Sequence, residues 1–568
     1  MIPVLSRPLV KTRFLLAVLG GPLLAVAVER IPTIPVRARA VGAPGPLVAV
    51  ASALSTRALQ ESAIPVRPGQ PGGQPFWNGE AVQFLYAPAF DFAPAAGAQS
   101  YRFTIRPETG AELAFTAAQP WTPLSSVWTQ LPVGPASLTL QAFDAKGAPL
   151  GLPQRRSFHR AAPFGGSYAA PALPWRESAR TALDALVHSP DLRCWFSTGM
   201  PDAQFHLYRY PYKIVGAAAA ALAIYATQTP APDDAAAVLQ AARRAADYLL
   251  SLSLPADAAW AFHPPTYHPT LFGDRLRGHM VPENYMTTSG AESGLYYLEI
   301  YSATRDTKYL AAAIRIAETY ARHQQPGGSW PLFVHGRDGS LVAENTMIPT
   351  LVVEFLDRLG EATGSDRFAA MRDRAVAWVE ANPVRTWNWQ GQFEDVKPQP
   401  PYQNLTKHDA CDFAIHLLRV KSLSQTQRAL ALDLVRFAED QFVMWAQPPT
   451  ATPGKQSADG VAAAKSTRWM LPCVLEQYRC YAPVCASSAK LIRTYLAAYR
   501  ATQDELFLVK ARALAATLTR TQANTKAPGR YLTWVMQPTG FMWFNCELMA
   551  VQAMQELAAI NAPADLEK

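Results

Sequence analysis

A repeated turn constrains this chain more than any other feature. IYSATRDTKYLAAAIRIAETYAR (300–322) and AYRATQDELFLVKARALAATLTR (498–520) follow one plan, and RLGEATGSDRFAAMRDRAVAWVE (358–380) is a third copy. In each, a helix ends, a polar turn follows and an amphipathic helix begins, which makes the unit an αα-hairpin. Weaker copies begin near Tyr225 and Lys421. Helical spacing of apolar residues predicts twelve segments, near 175–189, 211–228, 233–253, 288–304, 306–325, 348–363, 365–381, 407–421, 424–445, 482–502, 504–522 and 541–560. The links alternate. Short polar turns lead out of each even-numbered segment, and long links precede it, near 190–210, 254–287, 326–347, 382–406, 446–481 and 523–540. The even-numbered segments are also the more apolar set. VGAAAAALAIYA (215–226) has no charge at all, as befits a helix surrounded by other helices. Six hairpins closed into a double ring, an (α/α)6 toroid over 170–568, satisfy this pattern. The inner-helix N-termini and all six long loops then meet on one face, and loops of such length are expected to bind something. Pro211, Pro349 and Pro483 suit first-turn positions, and Ser289-x-x-Glu292 and Thr406-x-x-Asp409 read as capping boxes.

Upstream of residue 170 the character changes. Residues 11–28 join a basic start to a short apolar run with small residues at Ala25 and Ala27, so 1–28 read as a secretory signal and the protein as exported, periplasmic or extracellular. A membrane anchor is the alternative, against which stand the shortness of the run and Pro22. Residues 29–74, rich in Pro, Ala, Gly and Val, read as a flexible linker. Over 75–163, YRFTIR (101–106), ELAFTA (112–117) and SLTLQAFD (137–144) alternate apolar and polar residues between turn signals, which predicts a small all-β sandwich. With Trp128 ahead of LPVG and LQAFDAKG at its close, the segment resembles a fibronectin type III or immunoglobulin-like module. The chain is thus expected to be multidomain and mainly α.

The net charge of +8 points away from nucleic acid once it is located: residues 1–74 carry +6 of it and the other 494 residues only +2. The six cysteines form no CxxC pair and no histidine has zinc spacing beside them, while His263, His268 and His279 are poorly spaced for a metal. One disulfide among Cys473, Cys480 and Cys485, or buried thiols throughout, both fit. No GxSxG, P-loop, dinucleotide fingerprint or HExxH is present, and no metal or cofactor is expected.

TTSGAESGLYYLEIYSATRDTKYLAAA, followed by GGSWPLF within 287–333, resembles the six-hairpin glycosidase superfamily of glycoside hydrolases, unsaturated glucuronyl hydrolases and polysaccharide lyases. The resemblance implies a carbohydrate-active enzyme with a poly- or oligosaccharide substrate; the sequence itself, with no other stretch able to cross a bilayer, predicts no stable membrane insertion after signal removal. It leaves the oligomeric state open. The long loops carry matching chemistry. Aromatic faces bury the apolar C–H faces of sugars, and hydrolysis needs one protonated and one ionised carboxyl. The expected catalytic pair joins Glu394 or Asp395 to Glu344 or Asp409. Expected binding residues are Glu283, Tyr285, Trp387, Trp389, Tyr402, His408, Arg468, Trp469, Trp534 and Trp543, with at least three of the five tryptophans in one cleft. Two other readings stay open. One is a lyase or uronyl epimerase using Tyr285, His279 or His408 with Arg277, and the other is a non-catalytic glycan-binding ring.

Overall fold

The computed structural model describes residues 46–560, except 68, 70–76, 230, 269–277, 421, 447–468, 524–526 and 537–541. The expected signal at 1–28 lies outside the described residues. The described residues from Val50 onward form one compact unit. Among the described residues no helix is long and apolar enough to cross a membrane.

Part of the expected linker is helical: α1 spans Pro46–Glu61. Its run of Ala, Leu and Val favours helix as readily as it resembles a linker. Ala58 is buried, and Arg57 pairs with Glu61 at 2.7 Å and with Asp504 at 2.8 Å.

The next region differs from the expected sandwich. Strands β1 (Gln83–Phe84), β2 (Ser100–Pro107), β3 (Leu113–Ala117), β4 (Gly134–Phe143) and β5 (Pro149–Arg160) form one sheet in the order β1-β5-β4-β2-β3, antiparallel except for β1 with β5. Phe103, Ile105, Leu138 and Leu140 are buried, and the aromatic core beside them is built by Phe84, Phe90, Trp128 and Phe158 rather than by a second sheet. Alternation in a strand records that one face is covered, not what covers it.

Among the described residues twelve helices of eleven residues or more follow, alternating outer and inner. The outer ones are α2 (Trp175–Val187), α4 (Pro232–Leu252), α6 (Thr307–His323), α8 (Ala369–Val379), α10 (Gln425–Phe442) and α12 (Glu505–Thr521). The inner ones are α3 (Pro211–Gln228), α5 (Thr288–Thr304), α7 (Thr350–Thr363), α9 (His408–Arg419), α11 (Cys485–Thr502) and α13 (Phe544–Ile560). Each inner helix packs on the next, and α13 packs back on α3, so the ring is closed. Outer helix α2, first in sequence, pairs with α13, last in sequence. On α3 every residue from Ala217 to Ala223 is fully buried.

The repeated turn has a physical basis. Arg305 and Gln503 end α5 and α11 in the left-handed region (φ 56° and 58°), then Asp306 and Asp504 accept hydrogen bonds from Lys308 N and Leu506 N to start the next helix. Close helix approach relies on glycine: a Cβ on Gly216 would lie 2.3 Å from Tyr296, and one on Gly294 would lie 2.3 Å from Phe355. Neither expected capping box forms. Helices α5 and α9 begin without a side-chain cap, and the box that does form joins Ser424 to Gln427 on α10. Pro211 does occupy the first turn of α3, whereas Pro349 precedes α7 and Pro483 ends a strand. All six cysteines are free thiols.

Two small sheets shape the loop face: β6 (Asn284–Met286) with β7 (Phe333–His335), and β8 (Val443–Met444), β9 (Cys473–Gln477) and β10 (Cys480–Pro483) in the order β10-β9-β8. The five-stranded sheet docks on α10, where Asp440 Oδ1 accepts from Leu85 N and Tyr86 N, both at 2.7 Å.

Candidate active site

The inner-helix N-termini and the loops before them enclose a cavity of about 800 Å³ along the ring axis. It reaches from Lys213, Thr288 and His408 in first turns down to Glu299, Arg358 and Glu556. Along α5 alone that is a depth of about 16 Å. Nine carboxyl side chains and five Lys or Arg side chains are among its described lining residues.

The loop before α9 delivers the acidic pair at the mouth. Glu394 is buried, with Oε2 2.6 Å from Lys213 Nζ and accepting from the Tyr212 hydroxyl at 3.2 Å. Its backbone carbonyl accepts from the Tyr267 hydroxyl at 2.5 Å and from His279 Nε2 at 2.8 Å. Four groups therefore fix one residue of an otherwise irregular loop, and the Lys213 charge offsets the desolvation of Glu394. Asp395 next to it remains open to cavity water inside the ring. Enclosure, then the charges of Glu394 and Glu476, push its pKa upward. Asp409, in the first turn of α9, accepts from the Thr350 hydroxyl. Burial pushes Asp409 up to about 7 against the opposite pull of that hydrogen bond and of Lys490.

Deeper charges are matched. Lys490 pairs with Asp412, Arg493 with Glu556 at 2.6 Å, and Arg358 with Glu299 at 3.0 Å. Behind the wall, Lys407 Nζ donates to the Glu476 carbonyl at 2.7 Å and to Ser487 Oγ, and burial lowers its pKa to about 7. Burial also drives His408 well below its usual range, so its imidazole is neutral at pH 7. Phe393, Trp534 and Trp543 supply flat apolar wall.

Of the residues expected from sequence, Glu394, Asp395, Asp409, His408, Trp534 and Trp543 line this cavity. The rest of the set does not. Glu344 and Glu283 are exposed and lie outside the lining. Tyr285 is buried against Gly336. Trp387 packs on Phe437, Trp389 is fully buried, and Trp469 is buried beside Met536. Tyr402 lies over Arg67 at 4.9 Å. Arg468 and Arg277 fall outside the described residues. Two tryptophans of the five line the cavity, not three. An indole suits a sugar and a core equally, and a long loop folded back on the outer helices needs a core of its own.

Sequence reasoning missed Tyr212, Lys213, Lys490 and Asp412, and it read Glu292 as a cap. In the structure Glu292 lines the cavity and accepts from the Tyr296 hydroxyl at 3.0 Å. The missed signal was a charge inside the first two turns of an inner helix, clearest at Lys213, which precedes the uncharged remainder of α3.

No family model matches the chain, and no curated protein matches it. Among solved structures it is similar to a family 76 glycoside hydrolase from a bovine Bacteroides thetaiotaomicron strain (TM-score 0.44, 9% identity, covering 82% of this chain and 93% of that one). It is also similar to cellobiose 2-epimerase from Spirochaeta thermophila (TM-score 0.46, 13% identity, 68% and 98%). A third similar structure is an unsaturated glucuronyl hydrolase specific for heparin (TM-score 0.43, 11% identity, 68% and 97%).

Proposed function

We propose that this protein is a glycan-cleaving enzyme that hydrolyses a glycosidic bond by acid/base catalysis between two cavity carboxyls. One observation carries the reading. Asp395 and Asp409 face the same aromatic-walled cavity with their pKa values displaced toward neutrality, while the neighbouring Glu394 is held in an ion pair with Lys213. In this reading Asp395 gives its proton to the glycosidic oxygen and Asp409, ionised, takes one from the attacking water. Glu394 and Lys213 fix the loop that carries the acid. Trp534 and Trp543 stack the sugar. Export follows the basic-apolar segment at 11–28, and N-terminal sequencing of the mature protein checks it.

The test is the amide series. Asp395→Asn and Asp409→Asn are each expected to lower kcat by about 10²- to 10⁴-fold with the fold retained. Near-full activity in either variant sinks the assignment.

A second reading, proton abstraction at a sugar carbon, is supported by the neutral His408 imidazole in the cavity lining. It would appear as ultraviolet-absorbing unsaturated product, or as solvent deuterium entering uncleaved glycan, and either signal would be lost in His408→Ala.

A further inference from the structure

The proposed acid, Asp395, is carried on a span rather than on a wall of the ring. Its loop is closed at the base by Gly391 N donating to the Asn404 carbonyl at 2.6 Å, beside the bridge of Gln390 to Leu405. From there it reaches over the mouth to α3, where Glu394 meets Lys213. Helices α9 and α3 lie three steps apart in the closed ring of six, so the span runs from one side of the cavity to the other. Gln392 ties it to the loop before α7, accepting from Ile348 N and donating to the Thr346 carbonyl, both at 2.8 Å. A further attachment comes from the loop before α5. The Glu394 carbonyl oxygen accepts from the Tyr267 hydroxyl and from His279 Nε2, which uses both of its lone pairs. The two donors are themselves held. Tyr267 is buried against the Tyr210 ring, and the His279 carbonyl accepts from Asn284 Nδ2 at 2.7 Å where β6 begins. The His279 ring also stands edge-on to Phe333 of β7.

Building on the acid/base reading above, we infer that Tyr267 and His279 are positioning residues for Asp395, acting through the peptide bond that joins it to Glu394. A peptide group is planar, so a carbonyl held by two donors also sets the direction of Asp395 N–H and the place of its Cα. Only the side-chain torsions of Asp395 are then left to aim its carboxyl. The Lys213 ion pair does not achieve this alone, because it grips the far end of the Glu394 side chain, several rotatable bonds from the backbone. His279 thereby has a donor's task rather than a base's: Nε2 must carry a proton to meet a carbonyl. Misplacing a reacting group by about 1 Å costs on the order of 10²-fold in rate, so a span needs such a clamp more than a wall does. With the carbonyl released, Asp395 moves toward water. The enclosure and the charges of Glu394 and Glu476, which push its pKa upward, then weaken together.

Two measurements on the full chain test this, one of them without a substrate. Aspartate labelled with carbon-13 at the carboxyl is followed by nuclear magnetic resonance against pH, with Asp395→Asn and Asp409→Asn identifying the two lines. In Tyr267→Phe/His279→Ala the Asp395 midpoint is expected to fall by about one pH unit while that of Asp409 stays. On the glycan that the wild-type protein cleaves, Tyr267→Phe and His279→Ala should each lower kcat about tenfold with KM little changed. The alkaline limb of the rate profile should move to lower pH. His279→Gln, which places an amide N–H near where Nε2 stood, should recover most of the loss in His279→Ala. An unmoved Asp395 midpoint, or Asp395 and Asp409 midpoints that move together, overturns the inference. So does His279→Gln as impaired as His279→Ala, or an undiminished kcat in the clamp variants where Asp395→Asn is inactive. Its failure is separable from that of the catalytic reading. A fully active Asp395→Asn would end the acid assignment, while a shifted Asp395 midpoint would leave the positioning standing. An inactive Asp395→Asn beside clamp variants with the wild-type midpoint and kcat would do the reverse.

Discussion

At Arg305 and Gln503 the backbone takes the left-handed form that the hairpin turn requires, in residues that carry a β-carbon. The third copy of the turn uses Gly364 at φ 63°. Left-handed backbone costs a non-glycine residue about 1 kcal/mol. Gln503→Gly is therefore expected to stabilise the protein by about 1 kcal/mol, seen as a higher denaturant midpoint with unchanged slope. A lower midpoint would show that the Gln503 side chain, which donates to the Arg500 carbonyl, matters more than the strain. The same scale explains which site residues could be read in advance. Glu394, Asp395 and Asp409 were legible because they lie in the long loop before an inner helix or in that helix's first turn. Lys213 and Glu292 were not, because one charge in the first turns of a helix is also what a cap or a solvated end looks like. Trp387 and Trp389 misled because aromatic richness in a loop does not say whether a sugar or the loop's own interior takes the rings.

Among the elements, the inner helices owe their spacing to missing side chains. Gly294 on α5 faces Phe355 on α7 with no room for a methyl group. Gly294→Ala is expected to cost about 1–3 kcal/mol by overpacking. Trimming the neighbour in Gly294→Ala/Phe355→Leu should recover part of that loss, a coupling readable from a double-mutant cycle of thermal or denaturant melts. Strict additivity would mean that the two helices separate freely. Helix existence, order and inner-outer alternation were legible because the apolar period and the link lengths repeat together. The caps and the sandwich were not. A Ser or Thr three residues before an acid can aim that acid elsewhere, as Glu292 and Asp409 show. A half-buried strand carries the same pattern whether a sheet or a loop covers it.

For the molecule as a whole, the proposed Asp395–Asp409 acid/base pair leads to a pH profile. Asp395 must hold its proton to act as acid, so activity falls as pH rises through its raised pKa. Asp409 must have lost its proton to act as base, so activity falls as pH drops through about 7. The expected kcat/KM profile is a narrow bell centred near neutrality, reporting the pair rather than either residue alone. Asp409→Asn should abolish the acid-side limb. A flat profile from pH 5 to pH 9 would refute the assignment.

Closure of the ring by α13 against α3 has a consequence during synthesis. In an open array of repeats, each added unit finds its full set of neighbours at once, and shortening the array removes stability in steps. Here the two flanks that α13 covers, on α3 and α11, stay bare until the final hairpin partner leaves the ribosome. The cavity, its walls and its charges then come into being in a single event. A nascent chain halted before residue 544 would present a C-shaped ring with two apolar edges, a natural client for chaperones and a poor starting point for partial activity.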